Sequence, residues 1–334
     1  MLLLFVLTTI LFGSSLVLLI KQKFLVFFFH VTLGWLLGSM VTGLLIFIET
    51  YFIPLSKTLV YIAMVIQVIL SAFIFAALWM YYKNERKQRF KISFNHNPWL
   101  LLSMLFAVVY SVIMNYQFFR PFPRFIPHTA RPYLEAEHSA MASMFVGINR
   151  RRSRFFVLND PMCAGQVLKM SPIPITYVAS MAQLSPNFVD TSFIISTLNA
   201  MSAAAALYTL ASCYTTSPFV CVVFILLNGG WVFFRYLYTS NTEVDLIHDV
   251  DRGFNVPFYQ IFYNFIISSK TASFAFPMAI YAVTFTIAHR TNAETLQFYL
   301  LSGILTALCP SFMTSASLFI LSTCNMSSIF FIIP

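Results

Sequence analysis

The sequence predicts an all-α, polytopic transmembrane helical bundle of eight or nine helices, with a long lumenal loop containing amphipathic interfacial helices. Three observations predict it. Of 334 residues, 59% are apolar and only 9% are charged, against roughly 25% charged in a soluble domain. A folded surface so poor in charge does not stay in water, and so apolar a chain is not disordered. The few charges are gathered between uncharged runs of the length that crosses a bilayer, roughly 20 residues for about 30 Å of hydrocarbon. Two polar stretches, one of them long, interrupt those runs. The formal charge of +9 is therefore no sign of a nucleic-acid partner. In a membrane chain it bears on orientation.

The runs follow in order. Met1 to Ile20 is the first, Phe24 to Ile48 the second, Thr58 to Tyr82 the third and Trp99 to Phe119 the fourth. Thr191 to Phe234 is uncharged throughout and too long for one crossing. Turn-forming chemistry from Cys213 to Pro218 splits it into two helices. Thr271 to Ala288 is another run, and Thr295 to Pro334 is again of double length with a break near Pro310. The chain thus divides into an N-terminal four-helix membrane region (1–119), a lumenal or extracytoplasmic loop (120–188), and a C-terminal membrane region of four or five helices (189–334) that carries a polar loop at 239–257.

Positive charge sets the orientation. No cation precedes the first run, and Lys21 and Lys23 follow it. This is the reverse of a secretory signal, so the expectation is a retained helix with its N-terminus outside the cytosol. Alternation then puts Lys83, Arg86, Lys87, Arg89 and Lys91 in the cytosol, together with His289 and Arg290. It puts Arg120 to Pro186 on the lumenal or extracellular side, although that stretch holds Arg150, Arg151, Arg152 and Arg154. A loop longer than about 60 residues translocates largely regardless of its charge. Five cysteines show no C-x-x-C spacing and imply neither a disulfide framework nor a zinc site. Asn325-Met326-Ser327 fits the glycosylation pattern but sits in an apolar run.

Chemistry concentrates in the long loop. Leu134, His138, Met141, Phe145 and Ile148 recur at spacings of three and four, one face of a helix lying along the membrane surface. On that helix Glu135 and His138 are neighbours, whereas Glu137 points to roughly the opposite side. A carboxylate beside an imidazole serves as a general base or holds a divalent metal. The plainer alternative is an acidic first turn that suits the helix dipole. Arg150, Arg151 and Arg152 present planar, permanently charged forks that match phosphate. At a membrane surface that phosphate belongs to a lipid or to a lipid-linked group, although a basic interfacial anchor has the same composition. Asp160-Pro161 followed by Ala164-Gly165 reads as a turn in which Asp160 contacts substrate or only shapes the backbone.

The second polar loop holds Glu243, Asp245, His248, Asp249, Asp251 and Arg252. Its acids and histidine suit a hard cation or a hydroxyl-rich substrate, and equally suit simple solvation. Just upstream, Asn228-Gly229-Gly230-Trp231 indicates close packing or a local helix break. Lys270 borders the next run, where it snorkels to head groups or meets a lipid phosphate.

Two stretches resemble the polytopic membrane glycosyltransferases of the GT-C type, especially a poorly characterised branch with extra N-terminal helices. The first is Glu135-Ala136-Glu137-His138, then Ser143 through Gly147-Ile148-Asn149 to Arg150-Arg151-Arg152, then Asp160-Pro161 and Ala164-Gly165. It is similar to that family's first large lumenal loop. The second is Leu227-Asn228-Gly229-Gly230-Trp231, followed by Asp245 and His248. Leu301-Ser302-Gly303-Ile304-Leu305 to Pro310 loosely resembles a later small-residue helix. The resemblance covers roughly residues 130 to 320, and the order of the motifs carries it. It departs at Ser171-Pro172, where the branch has an aromatic residue before proline, and at Ile175-Thr176, where an acidic residue is usual. Together with the apolar ending of the chain, these departures imply a divergent or incomplete copy.

The resemblance implies transfer of a sugar from a lipid-phosphate donor to a lumenal acceptor. It makes Glu135 or Glu137 the carboxylate that accepts the acceptor's proton, with His138 as neighbour or metal ligand. Arg150, Arg151 and Arg152 would hold the phosphate leaving group, with Asp160, Asp245 and His248 contacting substrate. The cofactor stays open, a divalent metal being the one candidate. Membrane lipid and lipid-linked phosphate are the expected partners, and nucleic acid is not. The competing expectations are a polytopic receptor or transporter and a catalytically inactive scaffold subunit. Glu, Asp, Lys and Arg avoid the runs almost entirely, which leaves a transporter without an ion path.

Overall fold

The computed structural model describes residues 1–19, 27–84, 97–119, 172–185, 188–226, 270–291 and 304. Among these residues every regular element is helical. In chain order the helices are α1 (Leu2–Leu19), α2 (Phe27–Glu49), α3 (Lys57–Asn84), α4 (Pro98–Phe119), α5 (Pro172–Leu184), α6 (Phe188–Ser212), α7 (Pro218–Leu226) and α8 (Lys270–Thr291). Four stretches, Leu2–Leu19, Phe27–Glu49, Lys57–Met80 and Asp190–Ser212, are long and apolar enough to cross a membrane. Much of the outside of α1, α3 and α4 is bare hydrocarbon and aromatic surface, including Leu7, Val65, Ile69, Phe73, Trp79 and Leu105. Such a surface suits acyl chains and not water.

Each helix starts where local chemistry allows it. The Ser56 hydroxyl accepts the Leu59 amide at 3.3 Å and caps α3. The Asn97 carboxamide oxygen accepts the Trp99 amide at 3.0 Å, and Pro98 occupies the first helical position, where its missing N–H costs nothing. The long uncharged run from Thr191 breaks as expected. Helix α6 ends at Ser212, residues 213–217 turn, and Pro218 opens α7. Residues 295–334, expected to form two helices, lie outside the described residues except Ile304.

Helix α5 comes from within the 120–188 stretch, in the uncharged segment Met170 to Val189, which is not among the spans expected from sequence. Thirteen residues long, it extends about 20 Å, less than the hydrocarbon thickness. Its residues Pro174 to Met181 are nevertheless all buried. It is a core helix of the bundle, wrapped by other helices.

Helix α2 is the axis of the structure. It packs on α1, α3, α5 and α6. The approach of α1 is backbone to backbone. A Cβ on Gly13 would lie 2.5 Å from the Gly38 nitrogen and against the Gly34 carbonyl, and one on Gly34 would lie 2.8 Å from the Ser14 nitrogen. Lipid tails are as apolar as leucine, so helices in a membrane gain by dispersion and close contact, which small residues permit. Gly43 gives α5 the same access, because its Cβ would meet the Ile173 carbonyl at 2.5 Å.

Candidate functional site

The described interior holds a polar seam. Along α2, Thr32, Trp35, Ser39 and Thr42 recur at helical spacing, and all are buried. Ser39 donates back to the Trp35 carbonyl of its own helix, and the other three each reach a different neighbouring helix. The Trp35 indole N–H donates to Asn199 Oδ1 of α6 at 2.7 Å, and Asn199 Nδ2 donates to Ser273 Oγ of α8 at 2.7 Å. The indole has only a donor, which fixes the orientation of the Asn199 amide. Thr32 Oγ1 and the Tyr281 hydroxyl share a hydrogen bond of 2.8 Å, again joining α2 to α8. Gln67 of α3 donates to Thr42 Oγ1 at 2.7 Å. The buried polar side chains described are all hydroxyls and carboxamides.

Aromatic rings close around this seam. Tyr177 of α5 stacks on Phe5 at a centroid separation of 5.4 Å and meets Trp35 edge-on at 5.7 Å and Phe274 at 6.0 Å. These contacts also set directions. Ile173 lies at Gly43 and Tyr177 at Trp35, so α5 runs antiparallel to α2. Phe274 lies at Trp35 and Tyr281 at Thr32, so α8 does too. Helices α5 and α8 are therefore parallel neighbours, and both start toward the end of the bundle where α2 finishes. Tyr177 and Asn199 both touch Trp35. A straight helix would hold them about 33 Å apart, so the chain reverses between α5 and α6.

The side chains that the sequence nominates for chemistry, Glu135, Glu137, His138, Arg150, Arg151, Arg152, Asp160, Asp245 and His248, lie outside the described residues. The first seven precede α5 in the chain, and Asp245 and His248 precede α8. Among the described residues, no three His, Cys, Asp or Glu side chains come together as a metal site.

Trp35, Asn199, Ser273 and Tyr177 are residues that sequence reasoning missed. A readable signal was present: the stripe Thr32, Trp35, Ser39, Thr42 inside an uncharged run. The seam is a fastener, and its worth is testable. Asn199→Ala strips Trp35 of its acceptor and orphans a buried N–H, a loss of about 1–3 kcal/mol. The unfolding midpoint of the detergent-solubilised chain should fall by several degrees. Trp35→Phe combined with Asn199→Val removes both partners and should cost clearly less than the sum of the two single changes. No protein-family model matches the chain, and no curated protein and no solved structure is significantly similar to it.

Proposed function

We propose that this protein is an integral, multi-pass membrane glycosyltransferase of the GT-C type, which transfers a sugar from a lipid-phosphate donor to a lumenal acceptor. In this reading eight or nine helices surround a lumenal loop with interfacial helices. Glu135 or Glu137 takes the acceptor's proton beside His138. Arg150, Arg151 and Arg152 hold the phosphate as its charge grows in the transition state, and Asp160, Asp245 and His248 line the substrate path.

The order of the motifs supports this reading, and one structural observation favours it most. Helix α5 follows the first polar segment and α8 follows the second. The two run parallel and in contact through Tyr177 and Phe274, with their N-terminal ends toward one side of the bundle. The helices that follow these two segments thus run side by side, which supports a shared site. Helix N-termini are electropositive, which suits a phosphate there. Among the described residues the fully buried polar side chains carry no charge, which favours this reading over a transporter that needs ionisable groups at mid-bilayer.

The test is transfer itself. The full chain, reconstituted in liposomes, is given polyprenyl-phosphate sugars labelled in the sugar, together with acceptor peptides and lipids. Transfer from at least one donor is the expected result. Absence of transfer from every donor, with no donor raising the unfolding midpoint, removes the enzyme reading and leaves a scaffold. Orientation is checked separately. Cys213 is exposed in the turn after α6; because α5 runs against α2 and the chain reverses before α6, it lies on the side where α2 finishes, which the orientation makes non-cytosolic. In a variant keeping Cys213 as its one cysteine, a membrane-impermeant maleimide should label sealed vesicles of non-cytosolic-side-out orientation without permeabilisation. Partial burial holds the Cys213 thiol above its ordinary pKa, so labelling should accelerate as pH rises.

A further inference from the structure

Helix α8 carries Pro277 in its interior. Proline has no N–H, so the hydrogen bond that would run from residue 277 back to the Ser273 carbonyl does not exist, and the ring presses on that turn. A helix bends there more readily than elsewhere along its length. The residues on the two sides of the proline are held by different partners. Before it, Ser273 Oγ accepts from Asn199 Nδ2 of α6 at 2.7 Å. The Phe274 ring lies against Trp35 and Tyr177, each at 6.0 Å. After it, the Tyr281 hydroxyl meets Thr32 at 2.8 Å and its ring meets Phe29 at 6.3 Å. Ser273 and Tyr281 stand one turn to either side of the proline.

We infer that Pro277 is a hinge in α8, with the Asn199 carboxamide as its latch. While Asn199 holds Ser273, the arm from Lys270 to Phe276 is fixed to α2 and α6. Once that bond opens, the arm swings about Pro277, and the part from Met278 onward stays with α2. Distances make the amide the latch rather than the rings. The arm from Pro277 to Lys270 is about 10 Å long, so a swing of about 20° carries Lys270 about 3–4 Å. The same swing moves Ser273 about 2 Å, which ends a hydrogen bond of 2.7 Å. Phe274 moves only about 1.5 Å, and ring contacts survive over centroid separations of about 4.5–7 Å. Ala272, Ala275, Ala279 and Ala282 recur at helical spacing across the proline, so one face of α8 has no long side chains to interlock with a neighbour. The arm follows the second polar segment in the chain, and its swing moves the point where that segment joins the bundle. The hinge stands apart from the enzymatic reading, and its test uses no activity.

Two distances in the full chain decide it, with the native cysteines replaced by serine and the protein reconstituted in lipid nanodiscs. Spin labels at Lys270→Cys and Phe52→Cys follow the arm against the exposed turn after α2. Labels at Thr291→Cys and Trp79→Cys follow the far part of α8 against the exposed outer face of α3. Ser273→Ala opens the latch and leaves the Trp35–Asn199 bond in place, so the rest of the seam still holds the fold. In that variant the first distance distribution should shift or broaden by about 3–4 Å, the reach of the arm, and the second should stay as in the parent. Adding Pro277→Ala to Ser273→Ala should restore the parent distribution, because it returns the missing backbone bond. Both pairs moving together would mean that α8 moves as one rod, and that overturns the hinge. A first distribution unchanged by Ser273→Ala overturns it as well, and so does a shift that persists after Pro277→Ala.

Discussion

Replacing Gly13 by alanine, a single added methyl, is expected to separate α1 from α2 and to cost a large part of the stability of the folded bundle. The reason is what the methyl meets. Its neighbours would be the Gly34 carbonyl and the Gly38 nitrogen, the latter at 2.5 Å, and both are backbone. A side chain can rotate away from an intruder, but a helix backbone moves only as a unit. Overpacking a core costs about 1–3 kcal/mol when side chains can yield. With rigid backbone on the far side, the cost lies at or above the top of that range, a large part of a total stability of about 5–15 kcal/mol. Gly34→Ala should behave alike, since its Cβ would meet Ser14. The yield of monodisperse protein in detergent and its unfolding midpoint provide the measurement. Leu11→Ala is the control from the outer face of the same helix, where Leu11 is 45% exposed; its change should stay within about 0.5 kcal/mol. If Gly13→Ala matched that control, the glycine contact would not hold the two helices together.

The same helix pair shows what sequence reading can and cannot reach. Charge is costly in hydrocarbon, so uncharged runs mark spans directly, and α1, α2, α3, α4 and α8 each begin and end within a few residues of the runs that predict them. The break after Ser212 is legible because Pro218 can begin a helix but not continue one. Helix α5 lies in an uncharged segment, Met170 to Val189, but the same rule does not tell its length or what buries it. At thirteen residues it is too short to count as a span, and its burial comes from neighbouring helices rather than from lipid. The seam escapes for a related reason. A count of charges treats Thr32, Trp35, Ser39 and Asn199 as silent, although their spacing places three of them on one stripe of α2. For the nominated chemistry the limit is different. Glu135 and Asp245 are more than a hundred positions apart in the chain, and no local pattern says where two such segments meet. The parallel course of α5 and α8 is the kind of fact that only a fold supplies.

On the proposed function, glutamine at both Glu135 and Glu137 should lower sugar transfer by about 10²–10⁴, the usual contribution of a positioned general base. The Michaelis constant for the lipid-phosphate donor should hardly move, because a base that acts on the acceptor hydroxyl contributes in the transition state and not to donor binding. Protein level and unfolding midpoint should be unchanged, which separates loss of chemistry from loss of fold. The single variants then distinguish the two acids. On a helix Glu135 adjoins His138 and Glu137 points to roughly the opposite side, so only one of them can share the histidine's environment. Glu135→Gln alone should reproduce the double variant, and Glu137→Gln should retain most of the transfer. The converse result would give the base role to Glu137 and place His138 elsewhere in the mechanism. Alanine at Arg150, Arg151 and Arg152 supplies the contrast. In the proposed mechanism those guanidinium groups would meet phosphate in the ground state and more strongly as its charge grows, so their loss should raise the donor's Michaelis constant and lower turnover together. A double glutamine variant that transfers sugar at the parent rate would remove both carboxylates from the chemistry, whatever the arginines do.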